Sequence, residues 1–81
     1  MAERTVRSPL PGTFYRRPSP EADVYVKEGD SVEPGTVVGL VEVMKTFHEV
    51  RSDAAGVVDR FLLENEDPID AGQDILSLRS A

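Results

Sequence analysis

The chain has 81 residues and no cysteine, with 15 acidic against 9 basic residues and a formal net charge of −6. Lack of cysteine excludes a disulfide framework and thiolate metal sites, and the acidic balance excludes the basic face that a nucleic-acid binder needs. A single domain of this length buries only about 60–65% of its unfolded surface and has no room for a large catalytic cleft; with no 18-residue apolar span and no signal-peptide pattern, it is expected to be cytoplasmic with no membrane partner.

Residues 1–7 read as an N-terminal tail, and Ser8 to Ala81 as the folded domain. Residues 1–20 carry Arg4, Arg7, Arg16 and Arg17 against Glu3, whereas the remainder is acidic, a solvated surface that can also steer docking on a basic partner. Gly12-Thr13-Phe14 is extended. The next stretch, about residues 15–23, holds Pro18 and Pro20, which fix φ and cannot donate ladder hydrogen bonds, so it is a surface loop and not an internal strand. Val24-Tyr25-Val26 resumes an extended pattern, followed by an acidic turn, Val32, a Pro34-Gly35 turn and an apolar strand over Thr36 to Val43. Phe47-His48-Glu49-Val50 is extended again, so the chain reverses at Met44-Lys45. Gly56-Val57-Val58, Phe61-Leu62-Leu63, Ile69, an Ala71-Gly72 turn and a strand over Gln73 to Leu78 complete the series.

These elements form two copies of one pattern. Val24 to Gly35 aligns with Phe61 to Gly72 at a constant offset of 37, and Gly12-Thr13-Phe14 aligns with Gly56-Val57-Val58 at 44. The first copy therefore holds seven extra residues, all within Tyr15 to Asp23. Without helical periodicity anywhere, the copies predict an all-β domain: a flattened barrel-sandwich of two four-stranded antiparallel sheets related by a pseudo-twofold axis. Alternation and pairing of the halves set Val26 against Leu63, Val32 against Ile69, Val38 against Ile75, Val41 against Leu78 and Phe14 against Val58, with Phe61 and Leu40 completing the core.

Only two lysines are present, and only Lys45 stands at the point of reversal between the halves. A lysine at a hairpin tip serves solubility in most proteins. Here Glu42-Val43-Met44-Lys45 joins pseudo-symmetric halves, and in that setting the chain resembles the biotinyl domains of biotin-dependent carboxylases from Ser8 to Leu78. The segment Ser8-Pro9-Leu10-Pro11-Gly12-Thr13-Phe14-Tyr15-Arg16-Arg17-Pro18-Ser19-Pro20-Glu21-Ala22 is similar to the carrier family of bacterial acetyl-CoA carboxylases, thumb loop included.

The resemblance implies that a biotin protein ligase, reading Met44 and Glu42, joins biotin to Lys45. The tether from backbone to ring would be on the order of 12–14 Å. It further implies a non-catalytic subunit of fatty acid biosynthesis that shuttles carboxybiotin between a biotin carboxylase and a carboxyltransferase, raising its effective concentration at both. Arg17, Pro18, Ser19 and Pro20 of the thumb are candidates for contact with the ring. Lipoyl carriers share the fold and lysine but place an acidic residue where Met44 stands, so a lipoyl carrier, like an unmodified adaptor module, is the alternative. Thr46 and Phe47 follow the lysine where the family has Met or Leu, which leaves the cognate carboxylase and its acceptor open. His48 has no partners at metal-ligand spacing, and no catalytic set is evident.

Overall fold

The computed structural model describes residues 4–80, and among these no residue is helical. Eight strands follow one another: β1 (Arg4–Arg7), β2 (Gly12–Tyr15), β3 (Ser31–Val32), β4 (Val37–Val43), β5 (Thr46–Arg51), β6 (Gly56–Phe61), β7 (Pro68–Ile69) and β8 (Asp74–Arg79). They build two four-stranded sheets, ordered β1-β8-β6-β3 and β5-β4-β2-β7, in which every pairing is antiparallel. This is the expected barrel-sandwich.

The twofold relation extends to individual hydrogen bonds. Phe14 N–H donates to the Asp67 carbonyl at 2.9 Å, and its mate Val58 N–H to that of Asp30 at 2.8 Å. Lys27 N–H donates to the Asp30 carboxylate at 2.9 Å, and Glu64 N–H to that of Asp67 at 2.8 Å. Ser8 and Ser52, both buried, close identical turns by donating to the carbonyls of Leu10 and Ala54 at 2.6 Å. The symmetry thus arises from a local hydrogen-bonding scheme that each half-sequence encodes once, with acidic side chains capping the turns.

Side-chain sizes, by contrast, are traded between the halves. Phe14 is fully buried where its mate is Val58, and the adjacent strand compensates with Gly39 where its mate is Leu76. A Cβ on Gly39 would lie 2.4 Å from the Phe14 ring. A large side chain at one position goes with a small one at its neighbour, in opposite order in the two halves.

Ten of the expected core residues are buried, whereas Phe61 and Leu63 are only partly so; Val6, Val50, Ala54 and Leu76 join the core. The expected tail over residues 1–7 is corrected for Arg4–Arg7, which form β1 against β8 and bury Val6; Met1 to Glu3 lie outside the described residues. Val24-Tyr25-Val26 and Leu62-Leu63 are not strands. At the first, Tyr25 N–H bonds to the Arg16 carbonyl across the neck of the inserted loop, and at the second its mate Leu62 N–H bonds to the Ile75 carbonyl. The strands expected from Thr36 and from Gln73 each begin one residue later, at Val37 and Asp74, because Thr36 and Gln73 are held in turns by Glu33 and Asp70.

Candidate functional site

Val43 pairs with Thr46, so Met44 and Lys45 alone form the loop of the β4–β5 hairpin. Both adopt left-handed backbone conformations, with φ of 50° and 67°. That is the geometry of a type I′ turn, whose twist suits a hairpin and which sequences fill by preference with Asn-Gly. Two bulky side chains occupy it here at a cost of about 1–2 kcal/mol each. The strain is affordable because β4 is anchored through Val38, Leu40 and Val41, all buried. Met44 is 93% exposed, and Lys45 beside it stands in solvent.

Two residues below the turn, Glu42 and Phe47 face each other across the hairpin, and Tyr15 of β2 holds both. Its hydroxyl donates to Glu42 Oε1 at 3.0 Å, and its ring meets Phe47 edge-on with centroids 5.9 Å apart. The bond to Glu42 pushes the Tyr15 phenol above its ordinary value, helped by partial desolvation and by the charges of Glu42 and Glu66. The unfolded chain therefore loses the phenolic proton first, and stability is expected to fall as pH rises past about 10. Tyr25 shifts the same way through burial and then Glu49. Urea midpoints recorded across this range should decline less steeply for Tyr15→Phe, without becoming flat.

The inserted loop leaves β2 beside this clamp. Arg16 fixes its base: the backbone N–H donates to Asn65 Oδ1 at 2.7 Å, and the guanidinium lies 3.8 Å over the Phe61 ring. A turn bonded from Ala22 N–H to the Ser19 carbonyl shapes its far end. Between loop and hairpin is a cavity of about 360 Å³. Arg17, Pro18, Ser19 and Pro20, the four loop residues singled out from sequence, all line it. Opposite them stand Tyr15, Phe47, Asn65 and Glu66, which sequence reasoning did not assign to the site. Aromatic and proline walls with a few polar groups suit a small, flat, partly polar ring. Through Phe47 the cavity borders the hairpin whose tip carries the exposed Lys45.

Elsewhere the molecule offers less chemistry. His48 is exposed on β5, and among the described residues no three His, Cys, Asp or Glu side chains cluster as metal ligands. A larger groove of about 490 Å³ runs between β1 and β5 and is lined by Arg4, Arg7 and Arg51, of which Arg7 and Arg51 are paired with Asp74 and Glu49. No helix among the described residues is long and apolar enough to cross a membrane.

The family described as biotin-requiring enzyme matches residues 4–78. The biotin carboxyl carrier protein of acetyl-CoA carboxylase from Chlamydia trachomatis serovar D is 45% identical over 74 residues, covering 91% of this chain and 45% of that one. The protein of the same description from Haemophilus influenzae is 41% identical over 71 residues, covering 88% and 46%. The chain thus spans less than half the length of these relatives. Among solved structures, the fold recurs in Kluyveromyces lactis urea carboxylase with a TM-score of 0.77 at 26% identity, over 98% of this chain and 6% of that one. A single-chain, multi-domain long-chain acyl-CoA carboxylase gives a TM-score of 0.78 at 22% identity, over 98% and 7%.

Proposed function

Because this chain belongs to the biotin-requiring family and its cofactor is covalently attached biotin, we propose that it is a non-catalytic biotin carboxyl carrier in which Lys45 is the attachment residue. The observation that carries this reading is the protruding Met44-Lys45 turn, which holds a lysine in a strained conformation in open solvent. Backbone strain of this kind is retained where a site depends on it.

A biotin protein ligase would join the Lys45 amine to biotin through an amide, recognising the turn with its Met44 side chain. Glu42 acts one step removed, since the Tyr15 hydroxyl bonded to it ties the hairpin to β2. When bound, biotin supplies a ring nitrogen that carries a carboxyl group. This chain contributes the tether, its direction, and a rigid base. The partners in this reading are a biotin carboxylase and a carboxyltransferase of acetyl-CoA carboxylase type, working in the cytoplasm, with neither nucleic acid nor membrane involved. Intact mass after expression beside a biotin protein ligase tests the proposal: one biotinyl group is expected, and a lipoyl increment or an unmodified chain would refute it.

The loop serves as a rest for the ring. Replacing residues 17–23 by a short glycine turn, with Arg16 retained, is expected to leave a folded and biotinylated domain, because the second half makes the same connection without the insertion and loop length costs little. Carboxylation by a biotin carboxylase should slow roughly tenfold, about 1.4 kcal/mol in transition-state terms. An unchanged rate would reduce the loop to a surface connection.

A further inference from the structure

The two halves part company at one backbone position beside the hairpin. Gly29 has a φ of 95° and donates its N–H to the Val58 carbonyl at 2.8 Å. Its symmetry mate is Glu66, with a φ of 72° and the mated bond to the Phe14 carbonyl at 2.6 Å. Glycine suits this left-handed conformation and glutamate is strained in it. The second half thus holds a carboxylate where the first half shows that none is needed to form the turn.

That carboxylate stands at the rim of the cavity between loop and hairpin. Arg17 lines the same cavity, and its Nε is buried without a hydrogen-bond partner in the protein. Among the described residues no ion pair joins Arg17 to Glu66. A side chain rich in donors and one that only accepts therefore line a single cavity without forming an ion pair.

We propose that Arg17 and Glu66 distinguish the two chemical states of the tethered ring, so that the cavity retains the neutral cyclic urea and rejects its N-carboxylated form. This rests on the carrier reading above. The urea carbonyl accepts from Arg17 and a ring N–H donates to Glu66. Carboxylation replaces an N–H by N–CO2−, with bicarbonate and ATP consumed, ADP and phosphate released and the proton passed to solvent. A donor is lost, and an anion arrives beside a carboxylate. Glu42 adds to the repulsion, because the Tyr15 hydroxyl bonded to it sits within the field of both Glu42 and Glu66. Amide formation also removes the Lys45 ammonium from the hairpin tip. Of the residues lining the cavity Arg17 is the one cation, set against Glu66 in the lining and Glu42 beside it, so the local field favours ejection of the loaded ring. Ejection is what delivery to a second active site requires.

The test uses this chain biotinylated on Lys45 with an isotope-labelled ring. Nuclear Overhauser cross-peaks from the ring to the aromatic protons of Phe47 and Tyr15 are recorded before and after carboxylation by a biotin carboxylase with ATP and bicarbonate. In the wild type the cross-peaks should be present before carboxylation and fall at least about fivefold after it, the lower end of ordinary coupling between linked events. In Glu66→Gly, which restores the residue its mate uses and so keeps the fold, the fall should shrink to about twofold or less. Arg17→Ala should weaken the cross-peaks already in the uncarboxylated state. Cross-peaks that survive carboxylation in the wild type, or that never appear with biotin in place, overturn the state-selective cavity and leave the carrier reading intact. A chain that takes no biotin on Lys45 overturns both.

Discussion

Lys45→Arg is expected to abolish biotinylation completely, while Lys27→Arg leaves it at the wild-type level. An arginine guanidinium stays protonated at any accessible pH and has no free electron pair with which to attack an activated biotinyl ester, so charge is kept and acylation is lost. Lys27 has the right chemistry in the wrong place: it opens a turn capped by Asp30 in the first half, equivalent to Glu64 in the second, and has no protruding hairpin around it. Because Lys45 is exposed, Lys45→Arg should unfold within about 0.5 kcal/mol of wild type. Replacing Met44-Lys45 by Asn-Gly should go further and raise stability by about 1–2 kcal/mol, since those residues favour the type I′ turn that methionine and lysine are forced into. Streptavidin blots and urea unfolding of the three variants decide the matter. Label persisting in Lys45→Arg would remove the assignment, and a destabilised Asn-Gly variant would show that the tip is not strained.

The repeat made most of the fold legible, and its limits mark what was missed. Alignment of the halves predicts two sheets, the equivalence of Phe14 with Val58 and of Val41 with Leu78 as buried mates, and a loop that the second half lacks. It stopped short at the N-terminus, although Val6-Arg7-Ser8 matches Val50-Arg51-Ser52 at the same offset of 44. Carried that far, it identifies β1 as the mate of β5 and Val6 as core. The tip position of Lys45 and the loop position of Arg17, Pro18, Ser19 and Pro20 were readable because proline and an isolated lysine leave strong local signals, whereas any contact of those loop residues with a ring rested on the resemblance alone. Phe47 was not, since an apolar residue just past the turn is explained only by the Tyr15 ring it packs against, and that neighbour comes from a strand distant in sequence. Glu66 aligns with Gly29, yet a glutamate in an acidic turn looks like solvated surface until its φ is known. Position in the second half, and not composition, gives it a role.

Gly39→Ala is expected to destabilise the domain by about 3 kcal/mol, a large share of the 5–15 kcal/mol that holds a small protein together. Gly39 lies in β4, fully enclosed, and its backbone does not occupy the left-handed region, so the demand for glycine is steric. An added Cβ would meet Phe14 Cε1 at 2.4 Å, Cζ at 2.7 Å and the Tyr15 carbonyl oxygen at 2.9 Å. The first two contacts involve a ring packed on every side, and the third is backbone of the strand that positions the clamp on Glu42 and Phe47. The strain should therefore spread from the core toward the hairpin and slow biotinylation as well as lowering the unfolding midpoint. The second half shows how the conflict is resolved, with Leu76 in place of Gly39 and Val58 in place of Phe14. Phe14→Val alone should cost about 3 kcal/mol through the cavity it leaves, but combined with Gly39→Ala the two losses should overlap, giving a favourable coupling of at least about 1 kcal/mol in a double-mutant cycle. Additive losses, or a Gly39→Ala variant within about 0.5 kcal/mol of wild type, would mean that the halves do not exchange volume between these positions.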